Sequence, residues 1–494
     1  MTSTGRPEGT LFINGQWVAP AGDASEPVVN PATEAVLATV PVGTDADCNA
    51  AIAAAREAFD HGPWPIMPGA ERADLMTRFW DALDKRHGDI VDLVIAETGA
   101  PRPLAEGLHF QTSMDHLAFF AAAARWNPVE SLPIDVTPKP TGGKLLGGGV
   151  QVHEPFGVVT AITPFNFPFF IDVAKIGPAM ATGNTVVLKP SPFPPLEAFV
   201  LAEAAAEAGI PDGVLNVITG GTDVGRRLTT DPRVDMVTFT GSDTVGAAVS
   251  EQASASIKKV LLELGGKSAL IVRRDADLES AAQFAVGQYT LQAGQGCSLC
   301  TRHLVDEAVK AEFLDLMEAY TRQLQLGDPA EVTTTMGPLI RESQRTRVSD
   351  YVDAARQQGA RVVTGGQRPK GLDRGFFYEP TIVTDVGHGW PVAQEEIFGP
   401  VAVVHGFRTD DEAVAVANDS EFGLSGAIFS ADSGTAYEMA LRIRTGGVAI
   451  NGGSGRMNSW APFGGNKRSG IGREYGLEGV REYTQTKVIT FNAG

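Results

Sequence analysis

Between residues 157 and 262 the chain alternates short apolar stretches with longer helix-forming ones, and no other feature restricts its fold as much. "GVVTAIT" (157–163) and "TVVLKP" (185–190) read as strands. "LEAFVLAEAAAEAG" reads as a helix closed by Gly209 and Pro211. Strand "GVLNVITG", helix "TDVGRRLTT", strand "VDMVTFTG", helix "SDTVGAAVSEQA" and strand "KKVLLELG" follow in order. Apolar strands this short, separated by helices, predict right-handed crossovers and a parallel sheet buried on both faces. Ligands of such sheets lie outside the carboxyl ends of the strands, so chemistry is sought in the residues that follow each strand.

A second alternating block runs from about 268 to 450, with strand "SALIV", helix 277–292, strand "TRHLV", helices 306–325 and 341–358, and strand "ARVVTG". A chain of 494 residues needs more than one core, and 43% hydrophobic residues supply the material, which excludes a disordered scaffold. Upstream, "TDADCNAAIAAAREAF" predicts a helix with Thr44 as cap and Asp47 at capping-box spacing. "TPKPTGGKLLGGGV" (137–150) predicts a protruding hairpin or linker, and "YTQTKVITFN" a strand. The longest apolar run, 157–174, is broken by Pro164, Asn166, Pro168 and Asp172 and is not a membrane span.

The formal charge of −19 repels phosphate backbones, so nucleic acid is not an expected partner. The opening "MTSTGRPEGT" has no apolar signal-peptide core, and three sparse cysteines make no disulfide framework; the expected setting is the reducing cytoplasm. "GQGCSLC" (294–300) places Cys297 and Cys300 as C-x-x-C. That spacing fits a redox dithiol, half a zinc site, or one nucleophile with a bystander. Zinc wants about four ligands. Cys48 is distant and the histidines form no H-x-x-x-H or H-E-x-x-H pair, which leaves Cys297, Cys300 and His303 as a partial set; no metal is expected.

Four stretches could carry chemistry. "FTGSDTVG" puts Gly241 and Gly246 at a strand-to-helix turn, suited to an anion or to structure alone, and it matches neither G-x-G-x-x-G nor a P-loop. "LLELGGKS" sets Glu263 between Leu262 and Leu264, a costly place for a carboxylate unless it works, is paired or faces solvent at the strand end. "ITPFNFPFF" embeds Asn166 among aromatics and prolines, as an oxyanion donor or a loop-capping Asx turn. Gly294 and Gly296 open the backbone around Cys297, which is otherwise a small buried hydrophobe.

The order of the motifs is more specific than any one of them. Asn-Phe-Pro (166–168), V-L-K-P (187–190), F-T-G-S (239–242), E-L-G-G-K (263–267), G-Q-x-C (294–297), E-E-I-F-G-P (395–400) and P-F-G-G-x-K-x-S-G (462–470) run collinearly. "FINGQW" (12–17), "NPATE" (30–34) and "GIGREYGLEGVREYTQTK" (470–487) extend them. Over nearly its whole length the chain resembles the NAD(P)-dependent aldehyde dehydrogenase superfamily. The resemblance implies an α/β protein with three parts: a Rossmann-like parallel-sheet cofactor domain (1–127 and 147–261), a second α/β catalytic domain (262–473) and a small β oligomerisation element (128–146 and 474–494). A homodimer or homotetramer is then expected.

Carried over position by position, the resemblance makes Cys297 the nucleophile that attacks the aldehyde and Cys300 a neighbour that could oxidise against it. Asn166 and the Cys297 N–H become the oxyanion donors, Glu263 the base that hydrolyses the thioester, and Lys175 a support for the proton path. For the cofactor, Lys189 matches the adenosine-ribose contact and Ser242 the pyrophosphate ligand, with Gly241 and Gly246 shaping the turn. Phe165 and Leu264 fall on the nicotinamide side, Thr163 is a further cofactor contact, and Glu396 and Phe398 match the clamp on the nicotinamide ribose. Glu263 disfavours the alternative of a CoA-acylating enzyme, and the full residue set disfavours a catalytically idle NAD-binding protein.

Two departures from the family pattern bear on specificity. Pro192 stands where many NAD-specific members carry a glutamate, so repulsion of a 2′-phosphate is lost without a donor being gained; NAD is expected and NADP possible. Gly296 and Ala174 (the latter where tryptophan is frequent) would widen the pocket, and Phe169, Phe170, Met457, Trp460 and Phe463 would keep it apolar. A medium-sized or aromatic aldehyde is the expected substrate. Arg456 is a candidate carboxylate clamp that would argue otherwise.

Overall fold

The computed structural model describes residues 9–454 and 457–493, so Arg456 lies outside the described residues. The first alternating block forms the centre of an eight-stranded sheet. Its five parallel strands lie in the order Leu215–Val217, Thr185–Lys189, Val158–Ile162, Met236–Thr240, Lys259–Glu263. Every residue of the middle three is buried, which is why they read as unbroken apolar runs. Strand order reverses between Val158–Ile162 and Met236–Thr240, and a ligand crevice opens at such a switch point.

The predicted helices of this block form as read. Leu196–Ala208 ends on Gly209 at φ +78°, and Thr222–Thr230 matches its predicted span. Asp45–Asp60 starts with the expected box: the Asp47 N–H donates to Thr44 Oγ1 at 3.3 Å and the Thr44 N–H to Asp47 Oδ2 at 2.8 Å.

The second block forms a seven-stranded sheet in the order Arg361–Thr364, Thr381–Thr384, Val401–Phe407, Cys300–Asp306, Ser268–Val272, Gly426–Phe429, Ala449–Ile450. Only the pairing of the first two strands is antiparallel. Among the described residues no helix is long and apolar enough to cross a membrane.

A small sheet joins Thr484–Ala493, Lys144–Pro155 and Val129–Ser131, with Asp135–Pro138 also pairing Lys144–Gly147 in the predicted hairpin. Sheet membership departs from the expected boundaries in three places. The Lys144 strand continues past 146 to Pro155, because the C-terminal strand pairs with it along its whole length. Tyr475, Val480 and Tyr483 are buried in the core of the first unit, so 474–483 belongs there and not to the small sheet. Gly470–Ile471 pairs antiparallel with Leu262 and Glu263, adding an edge strand to the first sheet from within the expected 262–473 span.

Candidate active site

At the switch point a cleft of about 880 Å³ runs along the carboxyl ends of the first sheet and faces the second. Asn166, Phe165, Gly241, Ser242 and Leu264 come to its wall from the first alternating block, and Cys297, Glu396 and Phe398 from the second. Eight expected residues scattered over more than 230 positions thus share one space.

Cys297 sits at the end of an unusual approach. Gln292 (φ 49°, ψ 40°) and Ala293 (φ 53°, ψ 37°) are left-handed non-glycine residues, and Gly294 continues them at φ +74°. Left-handed backbone costs an L-residue roughly 1–2 kcal/mol. The turn is held by Gln295, whose N–H and Nε2 both donate to the Gln292 carbonyl (3.1 and 3.0 Å). Gln295 Oε1 accepts from the Ile340 N–H at 3.0 Å. The Gln295 carbonyl accepts from Asn166 Nδ2 at 2.9 Å, so the amide is fixed beside the thiol with its second N–H uncommitted by that bond. Gly266 lets the next strand close on the nucleophile: a Cβ there would lie 2.4 Å from the Cys297 carbonyl oxygen.

Cys300 takes a different direction. Its thiol packs in the second sheet's core and faces the Ala269 carbonyl at 3.7 Å, while Cys297 faces the cleft. Both are free thiols in this structure. His303 turns its Nε2 to the Cys300 carbonyl, and among the described residues no three His, Cys, Asp or Glu side chains converge as a metal site.

Glu263 ends its strand buried at 2% exposure, behind the cleft wall, with neither carboxylate oxygen hydrogen-bonded. Burial and then the nearby Glu474 carboxylate raise its pKa well above the ordinary range; Lys175 and Arg473 pull the other way. Lys175 is fully buried and does not reach the cleft: its Nζ donates to Glu474 Oε1 at 2.7 Å and to Thr238 Oγ1 at 2.9 Å. The Cys297 thiol is pushed far up by burial, then by the Glu396 and Glu263 carboxylates.

The cleft fits a dinucleotide. Ser242 caps the helix Asp243–Ser254, accepting from the Val245 N–H at 3.3 Å, and presents the helix start to the cleft as an anion site. A Cβ at Gly246 would lie 2.5 Å from Leu264 Cδ2, so glycine is what lets that helix seat against the wall. Thr240 Oγ1 is buried in the wall without a hydrogen-bond partner. Glu396 Oε1 accepts from the Gly266 N–H at 3.0 Å, and burial raises its pKa to about 7. Phe398, at φ +60°, packs edge-on to Phe165 at 5.7 Å.

Other expected contacts lie off this wall. Lys189 is buried at the end of its strand, donating to the Pro190 carbonyl at 2.9 Å, with its pKa lowered to about 8 by burial. Thr163 is buried next to it, its N–H on the Lys189 carbonyl.

None of the seven expected substrate residues lines the cleft. Phe169 is fully buried, stacked on Phe110, and Ala174 is buried in the same core, so neither faces a pocket. The space beside Gly296 is taken by Leu299, whose Cγ would be 2.7 Å from an added Cβ. Trp460 is 67% exposed, edge-on to Phe119. Phe170 stacks on Tyr475, and Met457 and Phe463 are partly buried against the same core. Nothing in the sequence marks Glu474, whose partner Lys175 is 299 residues away. The Gln295 clamp is equally silent, although it stands inside G-Q-x-C.

The sequence pattern of the aldehyde dehydrogenase family matches residues 17–489. Geranial dehydrogenase from Castellaniella defragrans is 39% identical over 479 residues, covering 97% of this chain and 98% of that protein. Betaine aldehyde dehydrogenase from Bacillus subtilis is 37% identical, covering 98% and 97%. Among solved structures, an aldehyde dehydrogenase from Mycobacterium tuberculosis complexed with NAD+ superposes with a TM-score of 0.93 at 41% identity, covering 98% of both chains. Cleft, thiol and fold thus define a dinucleotide-dependent oxidoreductase. The chain belongs to the aldehyde dehydrogenase family, and its reaction is the NAD(P)-dependent oxidation of aldehydes to carboxylic acids.

Proposed function

We propose that the protein oxidises a medium-sized or aromatic apolar aldehyde to its acid with NAD, through a thioester on Cys297. The observation that carries this is the Asn166–Gln295 hydrogen bond, which fixes an amide donor beside the one cysteine that faces the cleft. Cys297 loses its proton to Glu263, and Sγ adds to the aldehyde carbon. Asn166 Nδ2 and the Cys297 N–H donate to the resulting oxyanion. Ser242 and Glu396 would hold NAD in the cleft, and the cofactor would supply the acceptor for the hydride lost from that carbon. Cys297 then carries a thioester; Glu263, having passed the thiol proton to solvent, takes a proton from an attacking water, the C–S bond breaks, and the acid leaves as the sulfur takes that proton from Glu263. The buried Lys175–Glu474 pair holds charge near Glu263 and so sets how readily that base ionises.

Apolar specificity is supported by Leu291, at the start of the turn before Cys297, which packs on the core cluster holding Phe167, next to Asn166. The likeness to a geranial dehydrogenase agrees with it. NAD is favoured because Pro192 supplies no donor for a 2′-phosphate and several solved relatives hold NAD+. Free thiols at Cys48, Cys297 and Cys300 fit a cytoplasmic setting. Val488, Ile489 and Phe491 are exposed along the small sheet's edge strand and fit a homo-oligomer.

The test is formation of reduced nicotinamide with an aldehyde panel, with NAD and NADP supplied separately and no CoA, beside Cys297→Ala. Turnover confined to wild type and highest with apolar aldehydes supports the reading. Turnover only after CoA is added replaces Glu263 as base, and turnover by the variant removes Cys297 from the mechanism.

A further inference from the structure

Arg468 lies on the cleft wall, in the turn between strands Asn466–Lys467 and Gly470–Ile471. Its guanidinium spans two carboxylates that also line the cleft: Nη2 donates to Asp243 Oδ2 at 2.5 Å and Nη1 to Glu421 Oε2 at 2.9 Å. Its backbone N–H donates to the Glu421 carbonyl at 3.1 Å, which fixes the root of the side chain. Asp243 is the first residue of the helix capped by Ser242, where the backbone N–H groups favour an anion.

A carboxylate at that helix start repels a dinucleotide's diphosphate unless a cation stands between them. Arg468 is that cation. It is half exposed, so its partners can be exchanged, and its planar fork suits paired phosphate oxygens as well as a carboxylate.

We propose that Arg468 recognises the dinucleotide diphosphate, exchanging the Asp243 carboxylate for phosphate oxygens as the ligand seats; this rests on the reading of the cleft as the dinucleotide site. Asp243 is then a competitor for Arg468, and the two halves of one ion pair act on binding with opposite signs. No bond is made or broken in the exchange beyond hydrogen bonds.

Calorimetric titration of the full-length protein with NAD, ADP-ribose and adenosine tests it, on wild type, Arg468→Met and Asp243→Asn. Arg468→Met should weaken NAD and ADP-ribose about tenfold and flatten the salt dependence of both, with adenosine unaffected. Asp243→Asn should tighten NAD and ADP-ribose about threefold. Weakening by both substitutions would mean that the pair merely braces the cleft, and unchanged constants would mean that Arg468 does not touch the ligand; either overturns the proposal. If Arg468→Met fails to fold, Arg468→Gln is titrated in its place, with the same weakening expected and unchanged constants overturning the proposal. Wild type that binds neither NAD nor ADP-ribose would instead remove the dinucleotide reading, and this proposal with it.

Discussion

Gln295 makes four hydrogen bonds from a fully buried position: two to the turn before Cys297, one to the Ile340 N–H and one to the Asn166 amide. It touches no reacting atom, so its effect on the reaction is positional. Gln295→Ala leaves the Ile340 N–H unsatisfied, at a cost of about 1–3 kcal/mol, and frees the turn that aims the thiol. The expected result is a loss of roughly 10²-fold in kcat with the KM for NAD changed less than about twofold, read by steady-state kinetics. A matching rise in that KM would show that the residue acts on the cleft as a whole. The buried charges behind the wall make a second prediction. Glu263 must be ionised to activate water, and burial and Glu474 raise its pKa, so thioester hydrolysis should keep climbing with pH well above the ordinary carboxylate range. Removing the Glu474 charge lowers that pKa; Glu474→Gln should move the acid limb of the kcat profile to lower pH, and Lys175→Met to higher pH. Limbs that stay in place would separate this pair from the base.

The three left-handed residues Gln292, Ala293 and Gly294 form an element of their own, a turn wound against the preference of L-residues immediately before the nucleophile. Ala293→Gly should raise the melting temperature by roughly 1–3 °C, and Ala293→Val, with a branched side chain at φ +53° in a buried site, should lower it by several times as much. Thermal unfolding of both decides it. This turn shows where the sequence stopped being legible. Helices that carry their own punctuation, such as Asp45–Asp60 with its capping box and Leu196–Ala208 with Gly209, were readable to within a residue or two. The helix Pro168–Ala181 was not readable face by face: all fourteen of its positions are buried, so no amphipathic stripe tells Phe169, which enters the core, from Phe170, which reaches Tyr475. The ordered motifs gave the cleft's residues, because each sits at a strand end or helix start. Glu474 and the reversed turn depend on partners far along the chain and leave no local pattern.

At the scale of the molecule, buried ionisable groups tie stability to pH. Asp172 is fully buried with neither oxygen hydrogen-bonded, and burial raises its pKa to about 8 from 3.8. The unfolded chain ionises this carboxyl several pH units before the folded one does, so the folded state pays a penalty that grows as pH rises from about 4 to 8 and is constant above. Glu197 and Glu396, both raised to about 7, act in the same direction. His109 and His116, held neutral by burial down to about 3 and 4, act in the opposite one, costing stability as pH falls below 6.5. Asp172→Asn should therefore raise the melting temperature by roughly 3–6 °C at pH near 8.5 and far less near pH 5, measured by calorimetry at both. An equal change at the two values would mean that the side chain's shape, not its ionisation, is what the core registers.

The Asn166–Gln295 bond has one more consequence, for the history of each molecule as it is made. The donor comes from a loop of the first sheet and its acceptor, the Gln295 carbonyl just before the thiol, from the approach to the second, 129 residues later. A nascent chain that has completed only its first half owns the donor without the nucleophile, and one whose halves have not yet docked owns both but out of register. Catalysis, which needs the donor and the thiol in one place, is thereby withheld until assembly is finished: the act of closing the two halves is what completes the enzyme.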